Sequence, residues 1–265
     1  MKDGRVLTFQ VEVQSTAKAT FALGVRKSGS SIFSSIVNAL ALNNNINVVD
    51  IPERMFNSGY RYIDWNDHQR VCDLLWRGNC YIGFRDPPTA LYSDPVFIEA
   101  RKILLVRDPR DALVSEYFSN AYSHSLPTED GVQSVVAAER EKALRSTLTD
   151  YVLKRAADLD RTVERYRPIL NDKNLLIMHY EDIIFNKGDW IKKIVAHFGW
   201  KYDEQHASDV LGWADQRPDA ENPKAFVRKV TPGDYVDKLP QSTIDVLGAK
   251  LSDVWGELGY RLREQ

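Results

Sequence analysis

The chain has 265 residues, 43% of them hydrophobic and 11% aromatic, with 35 basic against 37 acidic side chains and a formal net charge of −2. This length and apolar content suit one large domain over residues 1–265, and the near-neutral balance excludes a broad polyanion-binding surface, so nucleic acid is not an expected partner. No run approaches the ~20 apolar residues that span a bilayer, which points to a cytoplasmic protein with no membrane partner, and two cysteines, Cys72 and Cys80, read as free thiols rather than a disulfide framework.

In chain order, Val6 to Val13 alternates apolar with polar residues and predicts an edge strand. Ala19 to Val25 predicts a buried strand, and from Ser30 the residues Ile32, Phe33, Ile36, Val37, Leu40 and Ala41 recur at helical spacing until Asn43-Asn44-Asn45. A strand at Ile46 to Val49, a helix around His68 to Trp76, and strands at Cys80 to Phe84 and Lys102 to Val106 follow. Asp108 is a good N-cap and Pro109 a good first helical residue, so a helix is expected from there to about Ser123. Residues 132–166 are helical in pattern and heavily charged, as in Glu139-Arg140-Glu141-Lys142, which reads as a solvated face. A strand at Leu175 to Met178 and a helix at Trp190 to Phe198 come next. Residues 216–240 carry four prolines and little periodicity and suit a lid loop. Helices near Ser242 to Leu251 and Val254 to Leu258 end the chain. Strands alternating with helices predict an α/β three-layer sandwich around a mainly parallel sheet, with ligand at the carboxyl ends of the strands.

Two segments stand at such ends. Gly24-Val25-Arg26-Lys27-Ser28-Gly29-Ser30-Ser31 and Arg107-Asp108-Pro109-Arg110-Asp111-Ala112-Leu113-Val114-Ser115 each follow a strand and open a helix, which is where backbone N–H groups and cations bind anions. The first has the glycine separation of a nucleotide triphosphate loop. Its lysine, however, precedes the second glycine instead of following it, an arrangement that encloses one 5′-phosphate but suits a metal-bound triphosphate poorly.

Arg26-Lys27-Ser28-Gly29-Ser30-Ser31 resembles the 5′-phosphosulfate loop of sulfotransferases that use 3′-phosphoadenosine 5′-phosphosulfate (PAPS), and the Arg107 to Ser115 segment resembles the same family's 3′-phosphate motif. Tyr180-Glu181-Asp182 is similar to the family's Tyr-Glu-Asp segment, whose tyrosine lies near the adenine. Arg228-Lys229-Val230-Thr231-Pro232-Gly233-Asp234-Tyr235 resembles Arg-Lys-Gly-x-x-Gly-Asp-Trp, a lid whose basic pair closes over the 3′-phosphate; Val230 and Tyr235 depart from that pattern. The resemblance implies a P-loop-like fold, PAPS as donor, 3′-phosphoadenosine 5′-phosphate (PAP) as product, no metal, and a small-molecule or glycan acceptor offering a hydroxyl or amine. It implies nucleotide contacts from Arg26, Lys27, Ser28, Gly29, Ser30, Ser31, Ile32, Arg107, Ser115, Tyr180, Arg228 and Lys229, with Lys27 catalytic at the departing oxygen.

The general base is open at this point. Where cytosolic members resemble one another in Lys-Thr-His, this chain has Gly83-Phe84-Arg85 followed by Asp86. Asp50 to Asn57 looks like the carboxylate-bearing region of glycan sulfotransferases, and Glu53 is preferred as base over Asp50, Asp86 or His68. Arg85 reads equally as an ion-pair partner of Asp86 or as an acceptor-side or sulfuryl-side group. Tyr60, Tyr62, Trp65, Tyr81, Tyr92 and Tyr122 read more readily as packing than as an acceptor cleft, and the histidines, among them His124, His179 and His197, as polar surface or core residues. Two other readings stand beside sulfuryl transfer: a small-molecule kinase with an atypical P-loop, and a nucleotide-binding module without catalysis. Oligomeric state is not readable.

Overall fold

A computed structural model of the protein describes residues 7–66, 68–123, 130–225 and 227–262. Five strands, β1 (Thr20–Gly24), β2 (Val48–Val49), β3 (Cys80–Tyr81), β4 (Arg101–Val106) and β5 (Leu175–His179), form one parallel sheet in the order β2-β3-β1-β4-β5. The register sets Phe21 beside Tyr81 and Lys102, Gly24 beside Leu105, and Val106 beside His179. The helices are α1 (Ser30–Asn43), α2 (Ile51–Asn57), α3 (Pro95–Glu99), α4 (Pro109–Phe118), α5 (Asp130–Leu144), α6 (Leu148–Glu164), α7 (Tyr180–Ile183), α8 (Lys187–Phe198), α9 (Glu204–Ala214), α10 (Asp234–Lys238), α11 (Gln241–Lys250) and α12 (Val254–Glu257).

Side-chain alternation along the strands builds the three layers. Ala22, Ile103 and Leu105 pack with Phe33, Ile36 and Leu40 of α1 and with Trp190 and Ile194 of α8 on one face. Phe21, Leu23, Leu104 and Val106 meet Leu113 of α4, Val152 and Leu159 of α6, and Leu247 of α11 on the other. Both faces are covered, so the central strands are buried throughout; every residue of β1 is withdrawn from solvent. Rings fix the packing on each side: Phe33 stacks on Trp190 with centroids 5.5 Å apart, and Phe21 stacks on Tyr81 at 4.7 Å.

The chain leaves β1 for β2 at one edge, returns to β3, then crosses to β4 on the far side of β1. The order reverses around β1, so the turns after β3, β1 and β4 flank one crevice at the carboxyl end of the sheet.

Several expectations change. Residues 7–13 form no strand; Leu7, Phe9 and Val11 pack one face of an extended segment on the core, so alternation there reflects half-burial without a sheet partner, and Val6 lies outside the described residues. β3 stops at Tyr81 because Gly83 takes a φ of +85° that ends the ladder. The helix expected around His68 is a 3₁₀ stretch, Gln69–Leu74. The helix after Asp108 is α-helical to Phe118 and continues as a π-turn over Ser119–Ser123. The charged stretch is two helices, α5 and α6, split where Thr147 caps the second. Both cysteines are free.

Candidate functional site

The turn after β1 is held open by its own backbone. Ser28 is fully buried and donates its hydroxyl to the Val25 carbonyl at 2.6 Å, while Lys27 and Gly29 take positive φ angles of 63° and 84°. The Ser28 amide also donates to the Val25 carbonyl, at 3.2 Å, so with left-handed residues either side of Ser28 the geometry of an anion-binding nest falls to the amides that follow it. Gly29 is irreplaceable for a second reason: a side chain there would meet the Tyr180 ring at 3.0 Å. Gly29 also occupies the N-cap of α1 without a capping side chain, so the amides of the first turn lack the usual acceptor.

Lys27 is the electrostatic centre of this turn. Burial holds its ammonium well below the usual lysine range, at about 8; Arg85, Arg107 and Arg228 push in the same direction, and Glu116 opposes them. Residues from four separate segments thus act on one amine. Ser31 accepts a hydrogen bond from Arg85 Nη2 at 3.2 Å, tying the end of β3 to the first turn of α1. Arg26 turns the other way. Its guanidinium lies against α6, donating to the Asp158 carbonyl at 3.4 Å and the Thr162 hydroxyl at 3.3 Å, so only its backbone belongs to the turn.

The turn after β4 begins with Arg107, almost fully buried, which donates to the Lys27 carbonyl at 3.4 Å and to Asp111 at 3.4 Å, and covers the Tyr180 ring at 4.4 Å. Its Nε is buried with no hydrogen-bond partner. Asp108 caps α4 through the Arg110 amide and holds the Arg110 guanidinium at 2.6 Å. Along α4, Asp111, Ser115 and Phe118 share one helical face by their spacing.

In the stretch expected to be a lid loop, the described residues from 215 to 233 form no helix or strand, α10 takes Asp234–Lys238, and Arg228 and Lys229 are held beside that face. Arg228 covers the Phe118 ring at 4.3 Å, bonds Asp234 at 2.5 Å and contacts Glu221; Lys229 bonds Asp234 at 2.8 Å. Asp111, buried, accepts from the Gly233 amide at 2.7 Å and the Tyr235 amide at 3.0 Å, pinning the start of α10 to α4. The Tyr235 ring lies under Arg110 at 4.2 Å.

The carboxylates considered as a base lie in different settings. Glu53 is exposed in the first turn of α2. Asp50 is the N-cap of that helix, accepts from the Glu53 amide at 2.8 Å, and is pushed up to about 7, chiefly by burial and further by the nearby Glu53 charge. Asp86 pairs with Arg165 at 3.0 Å rather than with Arg85, so the ion pair expected between neighbours does not form. His68 is exposed, and its Nδ1 accepts from the Arg70 amide at 3.2 Å. His179 bonds the Leu258 carbonyl and His197 the Lys102 carbonyl, both as structural links; His124 lies outside the described residues. Tyr60, Trp65 and Tyr81 are core residues, Tyr62 and Tyr92 pack against that core, and Tyr122 is exposed.

Sequence reasoning missed Asp111 and Glu116. Asp111 carries a signal, an acidic residue one turn after a cationic one on a helix; Glu116 carries none, because its partner Arg155, at 2.6 Å, comes from α6. No described helix is long and apolar enough to cross a membrane.

A profile for the sulfotransferase domain matches residues 18–225. Sulfotransferase 2A2 of Rattus norvegicus is 28% identical over 139 residues, which is 51% of this chain and 44% of the rat protein, so the match spans less than half of that relative. Among solved structures, mouse sulfotransferase SULT7A1 complexed with PAP superposes with a TM-score of 0.60 at 15% identity over 95% of this chain and 91% of that one. Retinol dehydratase, in complex with androsterone and inactive cofactor PAP, gives 0.51 at 17% identity over 92% and 82%. With the parallel five-stranded sheet, the turn after β1 and a profile match across most of its length, the chain belongs to the sulfotransferase-domain family.

Proposed function

We propose that the protein transfers the sulfuryl group of PAPS to a hydroxyl or amine of a small-molecule or glycan acceptor and releases PAP. The observation that carries this reading is the desolvated Lys27 beside an uncapped helix N-terminus, flanked by Arg85, Arg107 and Arg228. The buried, partnerless Nε of Arg107 and the open amides of α1 fit an anion with phosphates at two ends. The donor would supply an activated sulfur–oxygen bond.

Lys27 would hold its proton against the oxygen that departs, where negative charge gathers during transfer, with the amides of Gly29, Ser30, Ser31 and Ile32 beside it; the Ser28 amide is already given to the Val25 carbonyl at 3.2 Å. A fixed cation in a site that excludes water is worth more there than in solution, and it needs no reorganisation as charge develops. Arg107, Ser115, Arg228 and Lys229 would take the 3′-phosphate, pairing charged forks with a hydroxyl. Tyr180 would act mainly as a wall, since its ring already supports both Gly29 and Arg107.

The test is thermal. PAP is expected to raise the melting temperature without magnesium, and Lys27→Ala to remove transfer from PAPS while leaving the far-UV spectrum and melting temperature near wild type. Magnesium-dependent stabilisation by ATP with no response to PAP would establish the kinase reading instead. PAP binding with no transfer to phenols, alcohols, amines or glycans would establish a non-catalytic binding module.

A further inference from the structure

We infer that Glu116 is a positioning residue for sulfuryl transfer: a counter-charge built into α4 that keeps an ammonium at Lys27 among three arginines. The inference rests on the transfer reading and adds to it the group that sets the charge of the amine.

Glu116 follows Ser115 on α4 and is 5% exposed. Side chains of α6 fix its carboxylate. Arg155 donates to Oε1 through Nη2 at 2.6 Å and Nε at 3.0 Å, and the Tyr151 hydroxyl, itself held by the Asn120 side-chain amide at 2.7 Å, reaches the same oxygen at 3.5 Å. Oε2 accepts no hydrogen bond from a described residue. Arg155 continues to Asp158 at 2.8 Å, and the Asp158 carbonyl accepts from Arg26, the residue before Lys27. One run of contacts therefore leads from the carboxylate through α6 back to the turn after β1, where it fixes the neighbour of the amine and leaves the amine itself free to meet a ligand.

Charge matching singles out Glu116. Asp111 is paired with Arg107, and Asp234 and Glu221 both with Arg228, so those carboxylates are spent on their own cations. Arg155 divides its charge between Glu116 and Asp158, which leaves Glu116 matched by less than one cation. The charged groups acting on Lys27 are Glu116 from α4, which favours the ammonium, and Arg85 from the turn after β3, Arg107 from the turn after β4 and Arg228 from the segment before α10, which favour the neutral amine together with burial. A neutral amine brings no positive charge to a departing oxygen, so the carboxylate that opposes three arginines preserves the electrostatic contribution of Lys27. An opposite charge at close range moves an ionisable group by about 1–3 pH units; with Arg155 shared, about one is expected here.

Two measurements test this. The first uses no turnover: lysine ε-carbons are isotope-labelled and titrated by NMR, with Lys27→Arg identifying the signal. Wild-type Lys27 should titrate at about 8. Glu116→Gln keeps an oxygen for Arg155, which retains Asp158, so it should fold, and its Lys27 should titrate about one pH unit lower. Arg155→Met uncovers the carboxylate and should move Lys27 up. Opposite displacements from the two ends of one ion pair mark a charge effect, whereas loosened packing would act the same way in both. Lys27 within about 0.3 pH units of wild type in Glu116→Gln, or displaced in the same direction in both variants, overturns the inference.

The second measurement follows kcat/KM for PAPS with para-nitrophenol, ethanolamine and glucosamine as acceptors. From a one-unit displacement, Glu116→Gln should lose less than about twofold at pH 6.5 and roughly fivefold at pH 8. An equal loss at both pH values would reduce Glu116 to a structural residue. Wild-type protein that binds PAP and shows both NMR displacements, yet forms no PAP from PAPS with any of the three acceptors, would bring down the transfer reading while the hold of Glu116 on Lys27 stands.

Discussion

Asp111→Ala removes a carboxylate that is 1% exposed and holds three donors from two distant parts of the chain: the amides of Gly233 and Tyr235 at 2.7 and 3.0 Å, and Arg107 at 3.4 Å. Hydrogen bonds to a charged group each contribute about 1.5–3 kcal/mol, but the three share one acceptor and do not add. The larger cost is the one left behind, a guanidinium buried without its counter-charge. Breaking a buried pair in this way costs about 3–5 kcal/mol, against less than about 1 kcal/mol for an exposed one. For a chain of this size that corresponds to a fall in melting temperature on the order of 10 °C. Urea denaturation would read the global loss, and amide hydrogen exchange at Gly233 and Tyr235 the local release of α10 from α4. Asp111→Asn, which keeps an acceptor but not the charge, should fall between. A stability for Asp111→Ala within about 1 kcal/mol of wild type, with both amides still protected, would refute the reasoning.

Gly83→Ala should destabilise by roughly 1–3 kcal/mol, because the residue is held at a φ of +85° and its new methyl would collide with Asp50; denaturation midpoints check this, and a neutral result would mean the carboxylate is not where it lies here. Asp50 is raised in the folded state from an ordinary carboxylate to about 7, so folding favours its protonated form, and the associated stability is present at low pH and lost as pH rises toward and through 7. The stability of Asp50→Asn relative to wild type should accordingly climb between about pH 4 and pH 7, by roughly 2–4 kcal/mol, then level off; a flat difference would count against a buried carboxylate. Lys27 is lowered to about 8, and the proposed role needs its proton, so kcat/KM for PAPS should fall as pH rises through about 8 in the free protein. With the anionic donor bound, the same limb in kcat should move to higher pH.

The parts of the fold legible in the sequence are those specified by neighbours in the chain. β4 and α4 announce themselves through an apolar run, Asp108 as cap and Pro109 as first helical residue, and α1 through its apolar spacing after Gly29. The segment around Leu7, Phe9 and Val11 has the same alternation as a strand, but whether an extended piece gains a ladder depends on what lies beside it. α9 was missed because it is short and half-exposed, although Asp203 caps it. In the site, the positions of Lys27, Arg107, Ser115 and Tyr180 follow from strand ends. The split between Asp50 and Glu53 does not: three residues apart and chemically alike, they differ because only one lies against Gly83, more than thirty residues away. Arg26 and Lys27 are adjacent in the same way, and the left-handed turn sends one to α6 and the other into the crevice.

Arg228 and Lys229 reach the face of α4 already matched by the carboxylates of Asp234 and Glu221. Cations in that condition gather no cloud of mobile chloride. An incoming dianion would therefore trade places with tethered oxygens, and little entropy of freed small ions would accompany its arrival. The ionic-strength dependence of nucleotide uptake would then count only the charges that stand unmatched beforehand, and the neutralised pair would contribute selectivity for a strong anion over a weak one.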